Sequence, residues 1–256
     1  MACLPRSLCV EDLVAFDVVP SLLSAARLSG LRELLPLQEH AVHAGLLSLA
    51  GGEASDLLLV GGAGSGKRSI CELAAAHHAH SGQRVLLVCH DRPSAARCIE
   101  RFRSYQLIGL RCGLVEEASE LAQFDLAVAT LDSAAMVLAS AEPVRCGLGL
   151  LILEDLEVVA DSSDGELWPL LLLRCQALKV ELPLRMLLLC ADAMLGEKLG
   201  RVLRAVVVRD VRGAVPMEPE TASLARARAL MNLRGGLLAR TERDLMPAAV
   251  HAVRPR

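Results

Sequence analysis

The stretch Leu57-Leu58-Leu59-Val60-Gly61-Gly62-Ala63-Gly64-Ser65-Gly66-Lys67-Arg68-Ser69-Ile70 joins three things: a short apolar run, a glycine-rich turn that closes on a lysine, and the opening of a helical stretch. A run that is apolar at every position reads as a strand covered on both faces. Gly61 to Lys67 then spell G-x-x-x-x-G-K between strand and helix, the context in which that spacing has a physical meaning. Glycines let successive backbone N–H groups converge on a phosphate, the helix N-terminus adds partial positive charge, and the lysine reaches the outer phosphates. Gly61, Gly62, Ala63, Gly64, Ser65, Gly66 and Lys67 are therefore candidate nucleotide-binding residues, with Arg68 and Ser69 next to them. The position after the lysine ordinarily carries a Ser or Thr hydroxyl that ligates magnesium. Here it is Arg68, which cannot coordinate a cation, and Ser69 comes one residue late.

Further along the chain, apolar runs at 85–89, 126–130, 148–153, 186–190 and 205–208 alternate with helical stretches such as 69–81, 93–105 and 167–179. That rhythm predicts an α/β protein with a doubly wound, mostly parallel sheet. Residues 1–30 form a helical lead and residues 31–216 the sheet domain. Residues 217–256 form a basic helical tail, with the amphipathic segment at 222–240.

Composition narrows the choice of function. Of 256 residues, 51 are Leu and 24 are Arg, but only three are Lys, which makes Lys67 more informative than an average lysine. Aromatics are 2% of the chain, so few rings exist to stack on bases, and nucleic-acid contact would have to run through backbone phosphates. Residues 1–200 carry 16 basic and 25 acidic side chains, whereas residues 201–256 carry 11 and 5. The basic end suits a phosphate backbone or an acidic partner, and equally a solvated helix face. No uncharged apolar run reaches the ~18 residues of a membrane span, and no signal-peptide apolar region develops after Met1. The nine cysteines, without a C-x-x-C pair, read as reduced, buried thiols of an intracellular protein. His77 and His80 share a helix face and form a candidate metal pair that lacks a third ligand. Cys89 and His90 read as packing and rim residues, and Trp168 as a core anchor.

Past the 148–153 run, Leu153-Glu154-Asp155-Leu156-Glu157 sets three carboxylates where a phosphate-loop ATPase holds its metal and activates water. A solvated acidic turn gives the same pattern. With the phosphate loop, and with Leu35-Pro36-Leu37-Gln38 upstream, these segments resemble the first RecA-like domain of superfamily 2 helicases, closest to the Ski-like branch. The resemblance runs from about Asp17 to Glu220. It implies that Gln38 reads adenine, that the cofactor is ATP, and that Arg92 and Thr130 touch a nucleic-acid backbone. It also implies that Glu154 is the residue left to hold Mg2+, and that Glu154 and Asp155 are the catalytic pair in inverted order. Residues 108–113 correspond to a further strand. On the family's pattern, Cys190-Ala191-Asp192 falls where S-A-T links hydrolysis to movement, and Glu157 falls where the family has His or Asp.

These departures lie at the chemistry and spare the fold. The expected protein is an ATP-binding, helicase-related component of DNA or RNA metabolism, including DNA repair, with weak or no hydrolysis. No segment after Glu220 resembles a second RecA-like lobe, so a protein partner or separate lobe is expected to complete the site, with no unwinding by this lobe alone. The nucleus is favoured over the cytoplasm, and no membrane is involved. The alternative is a pseudo-enzyme that keeps the fold as an interaction scaffold independent of nucleotide.

Overall fold

The computed structural model describes residues 7–49, 55–161 and 167–210. Its strands are β1 (Leu57–Val60), β2 (Arg84–Cys89), β3 (Cys112–Leu114), β4 (Leu126–Thr130), β5 (Leu148–Leu153), β6 (Arg185–Cys190) and β7 (Val206–Arg209). All pair in parallel, in the order β3-β4-β2-β5-β6-β1-β7. The apolar runs explain this order. Every residue of β1, β5 and β6 is buried, as strands with helices on both faces must be. β3 and β7 sit at the two edges and are only partly covered. Leu57, Leu58 and Leu59 have no exposed surface, and burying each side chain contributes about 1.5–3 kcal/mol.

Upstream, a 3-10 turn (Val10–Phe16), α1 (Pro20–Leu28) and α2 (Pro36–His43) precede the sheet. Both α helices open on proline, whose missing N–H would have had no partner there in any case. Val10, Leu13, Leu22 and Leu37 join one core cluster with Leu57, Val85 and Ile152, so the lead packs into the sheet domain. An antiparallel bridge between Cys9 and Glu33 ties the lead to the segment before α2. The described residues fall within one compact unit that ends at Val215, and the expected tail helix at 222–240 lies outside the described residues.

The remaining helices are α3 (Lys67–His80), α4 (Arg92–Arg101), α5 (Arg103–Gln106), α6 (Leu131–Ala139), α7 (Glu142–Arg145), α8 (Leu156–Asp161), α9 (Leu167–Glu181) and α10 (Ala193–Leu203). Asp91 caps α4 by accepting from Ser94 N at 2.7 Å, and Asp192 caps α10 from Met194 N and Leu195 N at 2.7 and 3.0 Å. α10 lies close against the sheet because Gly196 and Gly200 face it. A Cβ at Gly196 would stand 2.6 Å from Val60 Cγ2, and one at Gly200 would overlap Val207. Arg185, buried at the start of β6, donates to the carbonyls of Ser55, Leu46 and Ser48 at 3.0, 3.1 and 2.8 Å.

Several expectations are revised in detail. The sheet is parallel throughout the described residues rather than mostly so. The helix expected over 93–105 is two, because the chain turns at Phe102, whose ring is buried beside Tyr105 with centroids 5.9 Å apart. The strand placed at 108–113 is the three-residue β3, since Gly109 is in a left-handed turn that delays strand entry. His77 is buried and His80 exposed, so the two do not share a metal, and no group of three or more metal-type ligands is found among the described residues. Trp168 is 2% exposed, as expected of a core anchor. Among the described residues no helix is long and apolar enough to cross a membrane.

Candidate functional site

Parallel strands bring their C-terminal ends to one edge of the sheet, and the site is assembled there. β1 feeds the loop and β5 feeds the acidic turn, with β6 between them. Gly61 N donates to Cys190 O at 3.1 Å, which ties the start of the loop to the end of β6. Gly64 and Gly66 have φ of +78° and +81°, a left-handed backbone that glycine adopts without strain. Gly66 is also the N-cap of α3. The N–H groups opening that helix have no acceptor within it, so they and the helix's partial positive charge converge on the loop. The geometry fits a phosphate: no atom lies within 4 Å of where a Cβ would stand on Gly62 or Gly64.

Lys67 folds into the loop. Its Nζ donates to Gly61 O, to Gly62 O at 3.0 Å and to Ser65 Oγ at 3.3 Å, while Ser65 Oγ donates to Gly62 O at 2.8 Å. Burial pushes the Lys67 ammonium below its ordinary value, with Glu157 opposing the shift. Ser69 lies on the exposed side of the first turn.

Gln38 sits beneath the loop and is 1% exposed. Its Oε1 accepts from Leu35 N at 2.7 Å and its Nε2 donates to Gly66 O at 2.9 Å. Both ends of the amide expected to read adenine are thus engaged in bracing α2 against the loop. A side chain on Gly66 would overlap this amide, so the brace also requires glycine there.

The acidic turn is held by arginines. Arg68 NH2 donates to both carboxylate oxygens of Asp155, at 2.7 and 2.5 Å, and its Nε lies 3.9 Å from Glu154 Oε2. Asp155 itself is in the left-handed region at φ +50°. The Glu154 side chain is 4% exposed and accepts from Arg101 NH2 at 2.9 Å. Arg101 also pairs through Nε with the buried Glu72 of α3. Desolvation raises the pKa of Glu72 and Glu154 above the ordinary carboxylate value, and Arg101 opposes the shift in both. Glu157 Oε2 accepts from Ala191 N at 2.9 Å, linking the turn to the segment after β6. Magnesium, implied by the resemblance, does not fit these residues. The hydroxyl position is a guanidinium, both oxygens of Asp155 are taken by it, and Glu154 is committed to Arg101.

Glu72 and Arg101 are site residues that sequence reading did not single out. A carboxylate inside the apolar run Ile70-Cys71-Glu72-Leu73-Ala74 was the available signal, since Glu is almost never buried unpaired.

The two residues assigned to nucleic acid lie at the same sheet edge. Thr130 ends β4 beside Cys89 of β2, and Arg92 opens α4 three residues past Cys89. Thr130 Oγ1 caps α6 by accepting from Ser133 N at 3.4 Å; Arg92 is exposed and paired with Glu116 at 3.0 Å. Phe102, Tyr105 and Trp168 are buried in the core, so those rings are not offered to bases.

No family model matches the chain, and no curated protein is similar to it in sequence. Solved structures are similar in fold. A DEAD-box helicase bound to ssRNA and UDP-BeF superposes with a TM-score of 0.62 at 13% identity, over 80% of this chain and 45% of that one. A hypothetical ATP-dependent RNA helicase from Sulfolobus tokodaii superposes with a TM-score of 0.58 at 11% identity, over 75% of this chain and 57% of that one. The chain thus spans about half the length of these proteins. Strand order, the phosphate loop at the end of β1 and these likenesses agree: the chain has the RecA-like α/β fold found in superfamily 2 helicases.

Proposed function

We propose that this protein is a helicase-related nucleotide-binding lobe of DNA or RNA metabolism, of Ski-like descent, that binds ATP and hydrolyses it weakly or not at all. The observation that carries this reading is the contrast between two halves of one site: the phosphate loop keeps its left-handed glycines, helix N-terminus and lysine, while both carboxylates that would serve metal and water are ion-paired to arginine. Gly61 to Ser69 would hold the phosphates, through backbone N–H groups and Lys67. Asp155 is bonded at both oxygens to Arg68, and an ion-paired carboxylate is a weaker proton acceptor, whereas general-base work requires a free acceptor within about 3 Å of the proton or one water away.

Nucleic acid would be met along its phosphates by Arg92 and the end of β4, as the ssRNA-bound likeness suggests, and binding would then weaken steeply with salt. A second RecA-like lobe, elsewhere in the polypeptide or in a protein partner, would complete the ATP site and any unwinding activity. The setting proposed for this work is intracellular, the nucleus before the cytoplasm, with DNA repair as one process it would serve.

Titration of a fluorescent ATP analogue against the full chain and against Lys67→Ala tests the core of the proposal. Binding that falls at least tenfold in the variant is expected, because the ammonium is a charge-assisted phosphate donor. Equal affinity in the two proteins refutes loop binding. Robust hydrolysis stimulated by single-stranded nucleic acid refutes the assignment of weak turnover.

The pseudo-enzyme reading has one specific observation in its favour: Lys67 bonds the loop's own carbonyls and Gln38 is held between Leu35 N and Gly66 O, so the loop holds its shape through bonds within the protein. No nucleotide binding under any condition would leave that reading in place.

A further inference from the structure

We infer that Arg68 is the resident cation of this site, standing where a phosphate-loop NTPase carries its divalent metal, so that nucleotide phosphate is bound without one. The inference rests on the nucleotide-binding reading and adds to it what neutralises the phosphates.

Arg68 is the second residue of α3, directly after the loop lysine, and its guanidinium reaches across to the end of β5. It bonds both oxygens of Asp155 and approaches Glu154, the two carboxylates that would otherwise share a metal and its waters. Glu154 is further claimed from the opposite side by Arg101, whose other partner is Glu72. The charges are already nearly balanced. Lys67, Arg68 and Arg101 face Glu72, Glu154, Asp155 and Glu157, so the set is within one charge of neutral before any ion enters. A divalent cation arriving there would meet like charges at close range and would have to strip Asp155 from its guanidinium first.

The same geometry leaves Arg68 able to act on a ligand. Its side chain is 52% exposed and its Asp155 bonds use a single nitrogen, NH2. A guanidinium carries five N–H donors in a planar fork suited to phosphate oxygens, and it cannot be deprotonated near neutral pH. Asp155 therefore positions Arg68 beside the loop as a fixed positive charge, with donors beyond those that hold Asp155.

The test uses the full chain in two measurements. The first needs no nucleotide: Mn2+ is titrated and free ion followed by electron paramagnetic resonance. Wild type is expected to take up no Mn2+ at the site, whereas Arg68→Ser, which frees both oxygens of Asp155 and supplies the missing hydroxyl, is expected to take up one ion. Stoichiometric Mn2+ uptake by wild type equal to that of Arg68→Ser overturns the inference. The second measures affinity for the ATP analogue in excess EDTA and in excess Mg2+. Wild type is expected to differ by less than about twofold and Arg68→Ser by about tenfold or more in favour of Mg2+. A gain of about tenfold from Mg2+ in wild type overturns the inference without recourse to any variant. Arg68→Lys, which keeps the charge but loses the fork, is expected to remain metal-independent with affinity reduced severalfold. Absence of nucleotide binding in both buffers refutes the nucleotide reading and the phosphate half of this inference with it, while Mn2+ uptake separately decides whether Arg68 holds the metal's place.

Discussion

Replacing Arg101 by Met leaves the buried Glu72 without its ion-pair partner and leaves Glu154 with only Arg68, whose Nε lies 3.9 Å away. The two glutamate side chains are 7% and 4% exposed, and Arg101 is the residue that hydrogen-bonds both. Removing one partner of a buried ion pair costs about 3–5 kcal/mol; because Arg101 is 30% exposed and water reaches it, the lower end applies, about 3 kcal/mol near neutral pH. That is a large share of the roughly 5–15 kcal/mol that holds a domain folded.

The pH dependence gives the reasoning a second check. Desolvation already raises both carboxyl pKa values in the folded protein, and loss of Arg101 raises them further. A carboxyl whose folded pKa exceeds its unfolded value binds more protons in the folded state, so stability increases as pH falls through that folded pKa. The penalty of Arg101→Met should therefore be largest above the raised folded-state values and shrink as pH falls towards the ordinary carboxylate value of 4.5. Urea unfolding at several pH values measures it. Glu72→Gln with Glu154→Gln, added to Arg101→Met, should recover most of the loss at high pH. A penalty below about 1 kcal/mol, a penalty that does not change with pH, or a triple variant no more stable than the single one would refute the ion-pair account.

The other expected outcomes are more local. Burial, aided by Arg185 and His77 and opposed by a hydrogen bond with Gln83, pushes His78 down to about 4, so between its ordinary 6.5 and that value the unfolded chain binds the extra proton and stability falls as pH falls. Wild type should lose up to about 3 kcal/mol across this window, and His78→Leu should flatten that limb in urea melts at successive pH values. Gly66→Ala combines a left-handed backbone, about 1–2 kcal/mol, with displacement of the Gln38 amide, about 1–3 kcal/mol, and in a Gln38→Ala background only the first cost should remain in a double-mutant cycle. Gly196→Ala drives a methyl into Val60 and should cost about 1–3 kcal/mol, largely restored by Val60→Ala as read from melting temperature.

The central strands were legible in the sequence for a simple reason: burial on two faces leaves little room for polar residues, so Leu57–Val60, Leu148–Leu153 and Met186–Cys190 stand out as runs. The phosphate loop was legible because its glycines are demanded by backbone geometry, and Arg68 because it breaks a fixed spacing. β3 was blurred: three half-covered residues at a sheet edge carry no apolar signal. The split at Phe102 was hidden because helical periodicity continues through Tyr105 on the far side of the turn. The arginine claims on the acidic turn were invisible for another reason. Arg68 meets Asp155 across 87 positions and Arg101 meets Glu154 across 53, and such pairs leave no periodic trace in one sequence. The same holds for Gln38, whose amide meets Gly66 across 28 positions.

The scarcity of rings has a practical optical consequence. Trp168 is the only indole in the chain and sits buried in α9, so its ultraviolet emission comes from a single known environment. A red shift on denaturation therefore reports water reaching that one position and serves as a clean unfolding signal for each variant above. The buried indole is also not available to stack on an added adenine, so quenching of it by nucleotide would report a rearrangement of the protein around α9.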